Sequence, residues 1–236
     1  HRLGMSAAEV ERLSQSRELL EQIHLSLILT QLMAADRVDD PRNAEQKRRF
    51  EHLARLLPPA PLSIAAASGL MLDPAFHGDL TRPGMGLFGG IPCASAAHLV
   101  EPVGYLYARI LQVHEAPAGE HVGYGAQRRF EKAVRLATLS IGYADGYGRA
   151  LSDTGADDGA ICHIGDHPAR VVGRISMDLT TIDVSAVPPE LVTRGAFVTM
   201  MGDLTTVDAL AAKAGTIPYE ILTRIGPRVA RVVVDS

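Results

Sequence analysis

Several things are scarce in this chain of 236 residues, and each scarcity argues against a class of function. There is no long basic run and the formal net charge is −4, which speaks against nucleic acid or an anionic membrane surface as partner. The longest apolar stretches, such as LSLILTQLMAA, are too short to span a bilayer. Cysteine is limited to Cys93 and Cys162, with neither metal-type spacing nor a disulfide framework, so a reducing cytoplasm is the expected compartment. No signal-peptide pattern occurs. The nine histidines are scattered, without H-x-x-H or H-E-x-x-H, which argues against a catalytic metal. What remains is an ordinary globular composition, 47% hydrophobic and 21% charged, able to bury a sizeable core.

The chain has two rhythms. Ser6 and Glu9 form a capping box ahead of a helical stretch to about Gln22. HLSLILTQL then reads as a strand. Asn43 and Gln46 open an amphipathic helix with Phe50, Leu53, Leu56 and Leu57 on one face. APLSIAAAS is a further strand, and DLTRPGMG a short strand running into a glycine-rich loop. Strand alternating with helix implies parallel βα units.

After Pro102 the pattern is mostly β, with GYLYARILQVHEA, RLATLSIGYA, GAICHIGDHPARVV and GAFVTMMGD as strands. GRISMDLTTIDVS reads as a hairpin element. One helix, TVDALAAKAG, is started by Thr206 or Asp208 and ended by Gly215. The tail is expected to form a short helical turn and a final strand. The expected division is therefore an α/β portion over 1–103 and a mostly β domain over 104–236. Three or four strands cannot close a barrel. With no methionine before HRLGMSAAEV, the first portion reads as the C-terminal end of a TIM-type α/β barrel, and the chain as part of a longer protein.

In such barrels chemistry sits at the C-terminal ends of the strands. The loops there are AAASG at 65–69 and TRPGMGLFG at 81–89, whose small residues let backbone N–H groups approach an anion, with the Ser68 hydroxyl beside them. Arg82 offers a fixed cation for a carboxylate, a phosphate or a ring nitrogen, or a surface salt bridge. SIGYADGYGR, at 140–149, sets a catalytic tyrosine against a turn built on Asp145-Gly146. Met177 reads as core packing and Tyr219 as a half-buried amphipathic ring.

The blocks HRLGM, AADRVDDPRNAEQ, DLTRPGMGLFGGIP, VGYGAQRR, SIGYADGYGR, VVGRISMDLTTIDVS and TIPYEILTRIGPRVARV together resemble the alanine racemase family in order and spacing, over essentially the whole chain. The resemblance implies an α/β barrel followed by a β domain, and a homodimer with shared sites. It also implies pyridoxal 5'-phosphate as cofactor, and L- and D-alanine interconverted by two bases, a lysine and a tyrosine, to supply D-alanine for cell-wall synthesis. By position, Tyr143 resembles the tyrosine base, reaching in from the partner subunit. Arg82 resembles the arginine that faces the pyridine nitrogen. Gly84 and Met85 resemble the phosphate-cradling backbone, with Ser68 close by, and Tyr219 the tyrosine that bonds the phosphate. Arg2 and Met177 resemble residues that hold the substrate carboxylate.

Three departures stand out. The family's lysine block does not occur, and Lys47, Lys132 and Lys213 lie in unrelated contexts. Gln31 stands where histidine is common. Ala66 and Ala67 replace polar residues near the phosphate. A racemase of another small amino acid such as serine, and a non-catalytic relative acting as a binding protein, are the alternative readings.

Overall fold

A computed structural model describes residues 2–155 and 158–234 of the chain. They fall into two units. One is the chain up to Leu87 with Ile91–Val100; the other is Phe88–Gly90 with the chain from Glu101 onward.

The first unit opens with α1 (Ala7–Ser14). Its capping box forms as expected: Glu9 N–H donates to Ser6 Oγ, and Ser6 N–H donates to the Glu9 carboxylate. The single helix expected to reach Gln22 is two, because a short α2 (Arg17–Glu21) follows a break at Gln15–Ser16. The Ser14 and Ser16 hydroxyls bond back to carbonyls of Glu11 and Arg12, which competes with continuation of the helix.

Next come β1 (Ile28–Leu29), α3 (Pro41–Ala54) and β2 (Leu62–Ser63). α3 begins earlier than Asn43. Asp40 is its cap, accepting from Arg42 N–H at 3.0 Å, and Pro41 occupies the first turn, where no N–H is required. Asn43 is 3% exposed and serves tertiary structure instead, donating to the carbonyls of Ala34 and Arg37. On the expected apolar face Phe50 is buried against Leu32, Ile64 and Leu72, whereas Leu56 is exposed. β1 and β2 pair in parallel, Ile28 opposite Leu62, and Ala66 makes a parallel bridge to Arg82. The regular strands are much shorter than the apolar runs suggest.

The second unit contains β3 (Leu106–Ala116), β4 (His121–Val122), β5 (Arg128–Arg129), β6 (Val134–Leu139), β7 (Ile161–Ile164), β8 (His167–Val171), β9 (Thr180–Asp183) and β10 (Phe197–Met201), then α4 (Val207–Ala214) and α5 (Pro218–Arg224). Six strands close into an antiparallel barrel in the order β10-β3-β6-β9-β8-β7, which leaves no open edge in that sheet. β3 shows the alternation this requires: Leu106, Ala108 and Ile110 are buried, while Tyr107, Arg109 and Leu111 face out. Leu139, Cys162, Ile182, Val198 and Met200 belong to the same core.

β4 and β5 form a separate antiparallel pair. α4 starts where Thr206 Oγ1 accepts from Ala209 N–H, and Gly215 follows its end. Residues 173–179 are a loop ahead of β9 rather than a hairpin arm. No strand forms over residues 225–234, and Val232, Val233 and Val234 are exposed; the last two residues of the expected final strand lie outside the described residues. Among the described residues no helix is long and apolar enough to cross a membrane.

Candidate active site

In the first unit the candidate residues gather where parallel segments end. Thr30 and Gln31 follow β1, Ser63 ends β2, and Arg82 N–H donates to the Ala65 carbonyl at 2.9 Å. The half-buried Arg82 guanidinium is held by three neutral acceptors. One nitrogen donates to Ser63 Oγ; the other donates to the Thr30 carbonyl at 2.7 Å and to Gln31 Oε1 at 3.0 Å. Gln46 of α3 fixes this frame, its amide donating to the Gln31 carbonyl at 2.6 Å and to Thr30 Oγ1 at 3.2 Å. Burial lowers the Arg82 pKa from its usual value, yet a guanidinium stays charged in proteins. A cation is therefore fixed at the strand ends, and among the described residues the groups that accept its hydrogen bonds are neutral.

Gly84 and Met85 follow after Pro83, Met85 buried at the start of a short 3-10 turn over Met85–Phe88. The Ser68 hydroxyl donates to the Pro92 carbonyl at 2.7 Å, so its proton is already directed within the unit while its lone pairs can still accept. Arg2 is exposed ahead of α1. Of the lysines, Lys47 pairs with Glu51 on α3 at 2.6 Å, Lys213 sits on α4, and Lys132 is exposed between β5 and β6.

In the second unit Tyr143 and Met177 are brought together. Tyr143 N–H donates to the Ser176 carbonyl at 3.0 Å, and Ala144 N–H to the Met177 carbonyl at 2.9 Å. Gly142 makes this possible: a Cβ there would stand 2.4 Å from the carbonyl oxygens of both Ser176 and Met177. The Tyr143–Asp145 turn is a 3-10 turn closed by Gly146, and Tyr143 is 41% exposed. Met177 is exposed rather than in the core. Tyr219 lies in the first turn of α5, partly exposed, and the chain leaving α5 returns to the tyrosine turn, Gly226 N–H donating to the Asp145 carbonyl at 3.1 Å.

Sequence reasoning passed over Ser63 and Arg228 and read Gln46 only as part of a helix start. Nothing local marks their place in the site; their partners there lie 13 to 83 positions away. Arg228 Nε lies 3.1 Å from Asp145 Oδ1, and Nη2 donates to Asp178 Oδ1 at 2.5 Å. Among the described residues no group of three or more histidine, cysteine or carboxylate side chains could hold a metal ion.

Two family descriptions match the chain: alanine racemase, N-terminal domain, over residues 1–92, and alanine racemase, C-terminal domain, over residues 103–233. An alanine racemase of Acidiphilium cryptum is 42% identical across 99% of this chain and 63% of its own length. One from Rhodospirillum rubrum is 40% identical across 98% of this chain and 60% of its own. The crystal structure of alanine racemase from Bartonella henselae with covalently bound pyridoxal phosphate superposes with a TM-score of 0.89 at 30% identity, over 99% of this chain and 63% of that one. The chain thus spans less than two thirds of the length of these relatives.

Proposed function

The chain belongs to the alanine racemase family, and from that premise we propose that the whole protein interconverts L- and D-alanine with pyridoxal 5'-phosphate. In this reading residues 1–103 supply the end of a TIM-type barrel that binds the cofactor, and residues 104–236 supply the β domain. Two units, one with parallel β segments and one a closed antiparallel barrel, support that division.

The observation that carries the reading is Arg82. Among the described residues its half-buried guanidinium donates to the neutral acceptors Ser63, Thr30 and Gln31 and to no carboxylate, so its charge is left for a lone pair or an anion. That suits the unprotonated ring nitrogen of a pyridine and suits no surface ion pair. Bound pyridoxal phosphate supplies the electron sink that makes an amino acid's α-proton labile. An arginine beside the ring nitrogen keeps that sink weak, which favours return of the proton to the α-carbon.

The remaining roles belong to side chains and amides of this chain. The backbone at Gly84 and Met85, the Ser68 hydroxyl when it turns from the Pro92 carbonyl, and the Tyr219 hydroxyl hold the phosphate. Arg2 and the Met177 N–H hold the substrate carboxylate. Tyr143 of the partner subunit takes or returns the proton on one face, in a homodimer with shared sites. The protein works in the cytoplasm and supplies D-alanine for the cell wall; family membership is the support for assembly, location and destination alike.

The test uses the full-length protein loaded with pyridoxal phosphate, given L-alanine, with optical rotation followed to zero. Loss of the pyridoxal absorbance on hydroxylamine treatment should abolish the change, and added cofactor should restore it. No rotation change with a loaded site would overturn the reading; a faster change with serine would move the substrate.

A further inference from the structure

We propose that Arg228 is a positioning residue for Tyr143 and Met177, locking the turns that carry them by bridging Asp145 and Asp178. The inference rests on the racemase reading of those two residues. Three stretches distant in sequence meet here: residues 142–146, 176–178 and 224–228. Two backbone hydrogen bonds join the first pair, Tyr143 N–H to Ser176 and Ala144 N–H to Met177. One joins the first and third, Gly226 N–H to Asp145. The side chains complete the lacing at a single cation.

Asp145 is the inner anchor, with its side chain 12% exposed. One carboxylate oxygen accepts from Gly142 N–H at 2.9 Å, holding the tyrosine turn in shape, and the other faces Arg228 Nε at 3.1 Å. Asp178 is the outer anchor, next in sequence to Met177 and 53% exposed, and takes Arg228 Nη2 at 2.5 Å. Two carboxylates on facing turns repel one another unless a cation stands between them. A guanidinium suits the place because its planar fork presents Nε and Nη2 at fixed spacing, whereas an ammonium is a single point. The pKa of Arg228 is raised accordingly, chiefly by the Asp178 hydrogen bond and then by the charges of Asp145 and Asp178.

The magnitudes separate positioning from stability. Arg228 and Asp178 are both more than half exposed, and exposed ion pairs contribute little to folding. A reacting group displaced by about 1 Å can lose on the order of 10²-fold in rate. Removal of the bridge is therefore expected to slow catalysis far more than it lowers the melting temperature.

The experiment compares Arg228→Met and Arg228→Lys with the parent in the full-length, cofactor-loaded dimer. Because L- and D-alanine are equal in free energy, kcat/KM changes alike in both directions, so rates alone cannot show which face is affected. The α-deuterium isotope effect can: it should rise for one enantiomer only in Arg228→Met, the one whose proton Tyr143 removes, while kcat falls about 10- to 100-fold. Arg228→Lys should recover part of the loss. Amide exchange, measured without substrate, should quicken at least tenfold at Tyr143 and Ala144 and stay unchanged at Ile182 in the barrel. An isotope effect unchanged for both enantiomers, or unchanged exchange at Tyr143 and Ala144, would overturn the proposal. If Arg228→Met does not fold, Asp178→Ala removes only the outer contact and is read by the same two measurements. A parent protein that fails to racemise alanine sinks the functional reading instead, and the exchange comparison still decides whether Arg228 holds the turns.

Discussion

A Cβ added to Gly146 would stand 2.2 Å from the carbonyl oxygen of Arg224, so these two residues meet backbone to backbone. Gly146 has φ 107°, a conformation that side chains resist, and its N–H donates to the Tyr143 carbonyl at 3.2 Å. Gly146→Ala is expected to cost about 1–3 kcal/mol from the backbone alone. Displacement of the chain after α5 adds to that. Calorimetry should show a lowered Tm, and an unchanged Tm would mean the two segments do not touch in solution.

Tyr143 is anchored by its backbone to Ser176 and leaves its ring partly exposed, so the hydroxyl can be removed without disturbing the turn. Tyr143→Phe in the full-length protein should lower kcat by roughly 10²- to 10⁴-fold, the usual worth of a proton-transfer group. Pyridoxal content should stay at the parent level. An equal loss of activity and bound cofactor would show that the ring packs the site and does not carry the proton.

Arg82 holds its charge among Ser63, Thr30 and Gln31, with no carboxylate in that set to balance it. Arg82→Glu would place a proton donor or an anion where the cation stood, and so strengthen the electron sink. The ratio of transamination to racemisation should rise, read as pyruvate formed per D-alanine formed. A constant ratio would reduce Arg82 to a strut between β1 and β2.

The legible parts of this chain are those set within a few residues. The Ser6–Glu9 capping box and the Thr206 cap of α4 are local contracts between side chain and backbone, and both form. Asn43 misleads because its best partners, Ala34 and Arg37, are brought to it by the loop before α3, leaving the cap to Asp40. The valines at 232–234 have strand propensity but pair with no strand among the described residues and stay exposed. Closure of the barrel through β10 and β3 joins residues about ninety apart, which no window of sequence displays. The site divides the same way. SIGYADGYGR announces its turn and tyrosine, but Arg228 acquires meaning only when the chain returns to Asp145.

Tyr147 is 3% exposed inside the barrel core, and its hydroxyl has no hydrogen-bond partner among the described residues. Burial pushes its pKa well above the usual phenol value and carries the neighbouring Cys162 thiol up to about 12. An unsatisfied buried hydroxyl costs about 1–3 kcal/mol, so Tyr147→Phe should leave Tm unchanged or raise it. A fall in Tm would reveal a water that bridges the hydroxyl to the core.

His163 on β7 is half-buried, with Nδ1 3.0 Å from Thr205 Oγ1. Burial lowers its pKa below the ordinary 6.5, and the Asp166 carboxylate offsets only part of that. Below 6.5 the unfolded chain then binds the proton more readily than the folded one, so stability rises with pH across that window. The contribution is complete above 6.5 and is lost as pH falls through the folded value. Urea unfolding at pH 5 and pH 7.5 should show a larger acid loss in the parent than in His163→Asn, which cannot titrate. Equal losses would place the imidazole in contact with water, and the barrel wall at β7 would then be open rather than packed.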